Sequence, residues 1–329
     1  MKYNVALIYG GEGFEHDISV KSAKNLAALI DKAKYSVVFV FISKTGEWFI
    51  EDTDRKIPTF PAYFSGKGGL FAAGALIPID VAIPVLHGNV GEDGVITGAL
   101  RASHIKFVGC DVLAGAVCAD KIITKMLADA LKIPTAEWIF TVGEDREEAK
   151  EKAEEQLDYP LFIKPAALGS SIGISKVTAS EDFIPAYEKA KALCERILIE
   201  KAIEVECELE CAYLSLDGED RYAVGKILCG GKFYGFDEKY NKFTDTKTSL
   251  PTSSVTDRVI GMARTLKGAT SIGGLARFDF FLSKNGRILF NEINTFPGMT
   301  GSSLYPALTL DMGLKEGEFI NRLLSEALL

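Results

Sequence analysis

The chain has 329 residues, 47 % of them apolar and 25 % charged, with a formal net charge of -8 from 37 basic and 45 acidic side chains. At about 150 residues per domain this length gives two or three domains, and the apolar fraction excludes wholesale disorder. No basic tract occurs, so the lysine and arginine footprint of a non-specific nucleic-acid binder is missing.

The apolar part of Met1–Gly11 is too short for a signal-peptide core, and runs such as Val37–Ile42 fall far below the ~20 residues of a membrane span. Cysteines 110, 118, 194, 207, 211 and 229 form no CxxC pair. They read as buried thiols of a reducing compartment, not as a disulfide framework or zinc site. The expectation is a cytoplasmic enzyme with neither membrane nor nucleic-acid partner.

In chain order, Asn4–Tyr9 reads as a strand ending in Gly10-Gly11-Glu12-Gly13, followed by a helix over about Ile18–Ile30. A strand at Ser36–Ile42, a Gly/Pro-rich stretch at about 52–78 and a strand at Asp80–Leu86 come next. Strands that end in glycine-rich turns before helices predict a parallel sheet with crossover helices, and ligands in such sheets lie beyond the strands' carboxyl ends. Both Gly10–Gly13 and His87–Gly94 stand at such ends, which points to one site.

A long helix is expected over about Ala114–Lys132, then a strand at Glu137–Thr141 and a solvated, charge-laced helix at Glu144–Leu157. Leu161–Pro165 and Gly173–Val177 read as strands around a glycine-serine loop. Beyond residue 196 strands dominate, at Arg196–Glu200, Cys207–Leu216, Arg221–Leu228 and a hairpin over 276–293. The shifts near 110 and 200 divide the chain into three lobes, 1–109, 110–199 and 200–329.

The hairpin carries the most specific chemistry. Asn285-Gly286 between two β-rich runs favours a two-residue type I′ turn, which would set Asp279 opposite Glu292 and Arg277 opposite Asn294. Period-two alternation then puts all four on one face. Facing carboxylates repel, and a hard divalent cation such as Mg²⁺ would offset that repulsion. The alternative is a solvated pair with one carboxyl protonated or neutralised by Arg277.

Lys164-Pro165 leads into Ala166–Gly173, whose small residues let backbone N–H groups approach phosphates. No GK[ST] follows, so this is not a Walker A loop. The stretch also fits G-x-S-x-G, but a hydrolase in that chain order needs a later histidine, and none follows His104. Glu15 and His16 at a helix start fit either an ammonium site or a favourable helix-dipole contact.

Six motifs in order resemble the D-alanine–D-alanine ligase family of the ATP-grasp superfamily, from Val5 to about Pro306. They are Gly10-Gly11-x-x-x-Glu15-His16-Asp17-Ile18-Ser19, His87-Gly88-x-x-Gly91-Glu92-Asp93-Gly94, and Asp120-Lys121-x-x-x-Lys125. Then follow Lys164-Pro165-x-x-x-Gly169-Ser170-Ser171-x-Gly173, Glu238-Lys239-Tyr240, and Asn291-Glu292-Ile293-Asn294-Thr295-x-Pro297-Gly298-Met299-Thr300.

The resemblance implies an α/β (α+β) ATP-grasp fold of three lobes, the first Rossmann-like. It implies ATP held by Lys121, Lys164, Ser171, Glu200, Lys201, Glu208 and Lys239. Asp279, Glu292 and Asn294 would hold two Mg²⁺ ions, for which Mn²⁺ can substitute. Glu15 would take the ammonium of a first D-alanine, with His87 nearby and Ser303 and Leu304 lining the second subsite. Arg277 and the Gly298 N–H would form an oxyanion site, Glu15, Ser170 and Tyr240 a hydrogen-bonded triad, and 233–251 a lid.

The implied reaction is ATP-dependent joining of two D-alanines for peptidoglycan precursors, by a homodimer. Ala119 and Thr97 depart from the usual methionine and glutamine as packing changes. The lid lacks the histidine of lactate-using relatives, and Leu304 leans towards D-alanine over D-serine. A D-serine ligase is the nearest rival. A non-catalytic nucleotide binder should have lost one of Lys164, Arg277, Asp279, Glu292 and Asn294, and all five are present. An oxidoreductase lacks its full glycine fingerprint.

Overall fold

The structure, a computed structural model, describes residues 2–52, 57–227, 248–301 and 303–329. Glu238, Lys239 and Tyr240, Cys229 and most of the expected lid lie outside the described residues.

The first layer holds β1 (Tyr3–Gly10), α1 (His16–Leu29), β2 (Tyr35–Ile42), β3 (Trp48–Asp52), β4 (Ile57–Ser65), β5 (Gly69–Ala72), β6 (Ala75–Pro78), β7 (Val81–Pro84), α2 (Val95–Ala102) and β8 (Lys106–Phe107). Its sheet runs β6-β5-β4-β3-β2-β1-β7-β8, parallel across β2-β1-β7-β8 as the sequence predicts. The Gly/Pro-rich stretch, to which no strands are assigned from sequence, extends the sheet with antiparallel strands. Cross-strand aromatic pairs stabilise that extension, Trp48 with Phe64 at 5.1 Å and Tyr63 with Phe71 at 5.3 Å between centroids.

The expected long helix is two, α3 (Val112–Ala119) and α4 (Lys121–Ala130). Asp120 breaks it: its backbone is extended, and its carboxylate accepts from the N–H groups of Ile122 and Ile123 at 2.9 and 3.1 Å. The same carboxylate accepts from Arg196 Nε at 2.8 Å. Loss of such a cap costs about 0.5–2 kcal/mol. Asp120→Ala is therefore expected to lower stability by about 1 kcal/mol or more in denaturant unfolding, and an unchanged midpoint would refute the capping role.

The second layer comprises β9 (Trp138–Val142), α5 (Arg146–Gln156), β10 (Leu161–Pro165), β11 (Ser175–Val177), α6 (Phe183–Lys191) and β12 (Arg196–Lys201), its sheet ordered β11-β10-β12-β9. Helix α5 buries Ala149 and Ala153 and leaves most of its charges towards water. The third layer holds β13 (Val205–Leu216), β14 (Glu219–Ile227), β15 (Thr248–Ser249), β16 (Leu275–Ser283) and β17 (Ile288–Asn294), ordered β15-β14-β13-β16-β17, with helices at Ser253–Thr270, Leu304–Asp311 and Glu318–Ala327.

One apolar core joins the first and third layers, packing Leu7, Leu26 and Val81 with Leu214, Tyr305 and Phe319. Each fully buried side chain of this kind contributes about 1.5–3 kcal/mol. Asn321 reinforces the seam, accepting from Asp31 N at 2.8 Å and donating to Leu29 O at 2.8 Å. The second layer has its own core, built on Leu161, Ile163, Phe183, Tyr187 and Ile199. Cysteines 110, 118, 207 and 211 are buried thiols as expected, whereas Cys194 is half-buried.

Candidate active site

The hairpin brings its four polar residues together by a different route from the one the sequence suggests. Of the loop residues, Gly286 has positive φ and Asn285 does not, so the turn is not type I′. Ser283 N donates to Arg287 O, and Gly286 N to Ser283 O, closing a three-residue loop, Lys284–Gly286. That shifts the register by one, and a bulge at Asn291 shifts it back between Phe280 and Asp279. Arg277 still pairs with Asn294, and Asp279 with Glu292.

On this face Arg277 Nε and Nη2 each donate to Asp279 at 2.7 Å, and Asn294 Nδ2 donates to Asp279 Oδ2 at 3.0 Å. Glu210, beside Asp279 on β13, lies 3.5 Å from Arg277 Nε. Burial opposes the Arg277 charge, but Asp279 and Glu210 more than offset it and hold its pKa well above the ordinary value.

Helix α4 delivers the first lysine. Lys121 Nζ donates to Leu168 O at 2.7 Å and lies 3.2 Å from Glu292 Oε2, so it touches both the glycine-serine loop and the hairpin. Lys164, on β10, pairs with Glu200, on β12, which also pairs with Lys125, one turn along α4. Burial pushes the Glu200 carboxyl up, but Lys125 and Lys164 outweigh it and hold it at about 2. Both Glu200 oxygens are taken by lysines, which leaves its side chain engaged away from the nucleoside role that the resemblance suggests. Lys201 points elsewhere, to Asp158 at 3.0 Å and Glu137 at 3.7 Å. Glu208 sits on β13 opposite Phe281, two residues before Glu210.

Ser170 and Ser171 are successive left-handed residues, a turn that gathers backbone N–H groups. Ser170 Oγ donates to Glu15 Oε1, across 155 positions of sequence. Gly88 has a φ of +70°, a conformation that L side chains rarely adopt, and with no Cβ its loop comes close to Glu15 Oε2. Glu15 thus stands between both glycine loops at the start of α1, its carbonyl accepting from Ile18 and Ser19.

His87 is buried, 3.2 Å from Ser22 Oγ. Burial, with the nearby Arg277 charge adding, pushes its pKa down to about 4, so the imidazole is neutral at pH 7. Ser22 Oγ also accepts from Met299 N at 3.3 Å, tying α1 to the segment that carries Gly298. Ser303 Oγ accepts from Thr300 N at 3.1 Å and lies 3.0 Å from where a Gly298 Cβ would stand. Leu304 packs over Gly225 of β14, in the row of Glu210 and Asp279.

Glu92, given no role from sequence, accepts from Gly88 N at 2.9 Å and Phe296 N at 3.3 Å. Its signal was a carboxylate inside a glycine-rich strand end. Burial, then Glu15, push its pKa up to about 8. Folding therefore takes up a proton here, and the associated stability, present below pH 4.5, is lost as pH rises through about 8. Glu92→Gln is expected to flatten the fall in melting temperature across that window; parallel profiles for the two proteins would refute the assignment.

A cavity of about 40 Å³ lies where these parts meet, lined among others by Gly88, Glu92, Lys121, Leu168, Glu292 and Asn294. Among the described residues no three His, Cys, Asp or Glu side chains converge as a metal cluster. The donor set is two carboxylates and one amide, hard oxygen ligands of the number Mg²⁺ takes from protein when phosphates supply others, and it fits that ion.

The D-ala D-ala ligase N-terminus family profile matches residues 4–110, and the D-ala D-ala ligase C-terminus profile matches 127–325. The chain belongs to the D-alanine–D-alanine ligase family. It is 35 % identical to D-alanine–D-alanine ligase A of Escherichia coli K12 over 350 aligned positions, covering 99 % of this chain and 96 % of that one. Among solved structures, the D-alanyl-alanine synthetase A of Vibrio cholerae superposes with a TM-score of 0.88 at 30 % identity, covering 99 % of this chain and 98 % of the other. The VanG D-Ala:D-Ser ligase of Enterococcus faecalis also gives 0.88, at 28 % identity, over 99 % and 100 % of the two chains. The three sheets are accordingly those of an α/β ATP-grasp fold. No described helix is long and apolar enough to cross a membrane.

Proposed function

We infer that this protein is an ATP-dependent ligase that joins two D-alanines, giving the D-alanyl-D-alanine of peptidoglycan precursors. The observation that carries the reading is the 3.2 Å contact of Lys121 with Glu292, which joins a lysine beside the glycine-serine loop to the carboxylate face of the hairpin. A carboxylate is a poor electrophile, so one oxygen of the first D-alanine attacks the γ-phosphorus of ATP and ADP leaves. The amine of the second D-alanine then attacks the acyl carbon, loses a proton, and phosphate departs.

Lys121, Lys164 and the Ser170-Ser171 turn neutralise and orient the phosphates. Asp279, Glu292 and Asn294 hold the two Mg²⁺ ions, or Mn²⁺ in their place, and bound metal supplies further charge neutralisation on the phosphoryl oxygens. Glu15 takes the first ammonium, and neutral His87 lends hydrogen bonding without a competing charge. Arg277 and the Gly298 N–H face the developing oxyanion, while Ser303 and Leu304 line the second amino-acid subsite. Ser171 covers the phosphates, Glu208 contributes to the nucleoside side, and Lys239 and Tyr240, outside the described residues, complete the nucleotide site and the Glu15–Ser170 triad. Three lobes, 1–109, 110–199 and 200–329, a homodimer and a cytoplasmic location complete the proposal.

The second reading, a D-alanine–D-serine ligase, draws support from the likeness to the VanG enzyme; the apolar Leu304 against Gly225 favours D-alanine. The test is phosphate release from Mg-ATP with D-alanine alone, then with D-serine or D-lactate added, products resolved by mass. D-alanyl-D-alanine as the sole product supports the reading, a mixed product moves it to the second, and no release overturns both.

A further inference from the structure

Lys125 is 1 % exposed at its side chain, yet it belongs to no part of the chemistry above. Its ammonium pairs with one oxygen of Glu200, while Lys164 pairs with the other. Glu200 itself is 4 % exposed, and Asp129, one turn further along α4, adds only a weaker attraction to Lys125. A buried lysine is costly unless its charge is compensated, so a site that retains one beside a carboxylate already paired to another lysine has a use for the extra charge.

We propose that Lys125 is a positioning residue for nucleotide binding: it shares the single negative charge of Glu200 and so leaves Lys164 with net positive charge to offer a phosphate. Two ammoniums and one carboxylate sum to one positive charge. Without Lys125 the sum is zero, and Glu200 holds Lys164 in a closed pair that a polyphosphate has to break. Helix α4 makes the arrangement possible, since Lys121 and Lys125 stand one turn apart on the same side. Lys121 faces the hairpin, and Lys125 tunes the second lysine from behind.

The inference rests on the reading of Lys164 as a phosphate ligand, and the experiment separates the two. Affinity for ATP without metal is measured by calorimetry for the wild type and for Lys164→Met, Lys125→Met, Lys125→Arg and the double variant Lys125→Met/Glu200→Gln, with thermal unfolding followed in parallel. Lys125→Met is expected to weaken ATP binding roughly 10- to 100-fold, the worth of a charge-assisted contact, while the KM for D-alanine stays unchanged. Lys125→Arg keeps the charge and most of the affinity. The double variant removes both compensating charges and restores binding to within about threefold, a rescue that the loss of packing alone would not give.

If Lys164→Met weakens binding and Lys125→Met does not, the inference fails and the phosphate role of Lys164 stands. If Lys164→Met has no effect, that role fails and the inference with it. A Lys125→Met defect left uncorrected in the double variant also overturns the proposal. Where Lys125→Met does not fold, Lys125→Gln, which keeps a polar head against Glu200 without the charge, takes its place under the same criteria.

Discussion

Replacing Arg277 by alanine is expected to lower the rate of dipeptide formation by at least 10²- to 10³-fold, the usual effect of losing a group that stabilises an oxyanion. ATP binding should largely survive, because the guanidinium lies on the hairpin face and not among Lys121, Lys125 and Lys164. The same change strips a buried partner from Asp279, where both donors stand at 2.7 Å, and from Glu210 at 3.5 Å. Breaking a buried pair of this kind costs about 3–5 kcal/mol, so stability must be measured alongside turnover. Arg277→Lys supplies the control: it restores charge and much of the stability, but a point-like ammonium cannot reproduce the fork towards Asp279 and the reacting carbon together. Wild-type turnover in a folded Arg277→Ala protein would remove the residue from the mechanism.

Asp279→Asn is expected to have an effect of similar size through a different quantity. The substitution keeps shape and removes one negative charge, so the metal affinity of the hairpin falls and Arg277 loses the partner that fixes its fork. Loss of a ligand or its immediate support commonly costs 10- to 100-fold in metal affinity or activity, and here both are struck at once, for about 10³-fold in turnover. Raising the Mg²⁺ concentration should recover part of the rate, the recoverable fraction being the metal's and the remainder that of Arg277. Mn²⁺ bound to the protein with ADP, followed by electron paramagnetic resonance, gives the metal term without turnover. Unchanged Mn²⁺ affinity would take Asp279 out of the ligand set.

What the sequence made legible follows from the range of the signal. The parallel strands β1, β2 and β7, the glycine-rich strand ends and the charged helix α5 are local patterns, and the structure has them. The strands β4–β6 were not legible, because glycines and prolines interrupt their apolar residues and the alternation rests on aromatic pairs across strands. The break at Asp120 is a cap whose second partner, Arg196, is 76 positions away. The pairing of Asp279 with Glu292 was reached through a turn that the chain does not make: a longer loop and the bulge at Asn291 displace the register in opposite directions and cancel. Glu15 with Ser170, and Lys121 with Glu292, are tertiary contacts that no local period encodes. The family resemblance implied the first, and nothing in the sequence pointed to the second. The Glu200 carboxylate and Lys125 show the converse, since a motif can carry a lysine whose partner becomes visible only once β10, β12 and α4 are packed.

The shared apolar core gives the molecule an unequal mechanical design. First and third layers share one core, with Asn321 as a rivet between them, whereas the four-stranded second layer has its own core. It meets them near Pro134–Thr135, where Phe290 N donates to Pro134 O, near Ala202–Glu204, where Lys284 N donates to Glu204 O, and along α4, where Asp120, Lys121 and Lys125 reach Arg196, Leu168 and Glu200. The contacts of Ser170 with Glu15 and of Leu168 with Lys121 therefore cross between separately packed cores, whereas those among Ser22, His87 and Met299 lie within the shared one. The glycine-serine loop is thus held by a different core from the one that fixes the segment carrying Gly298, and a substitution in either core acts first on the part it holds.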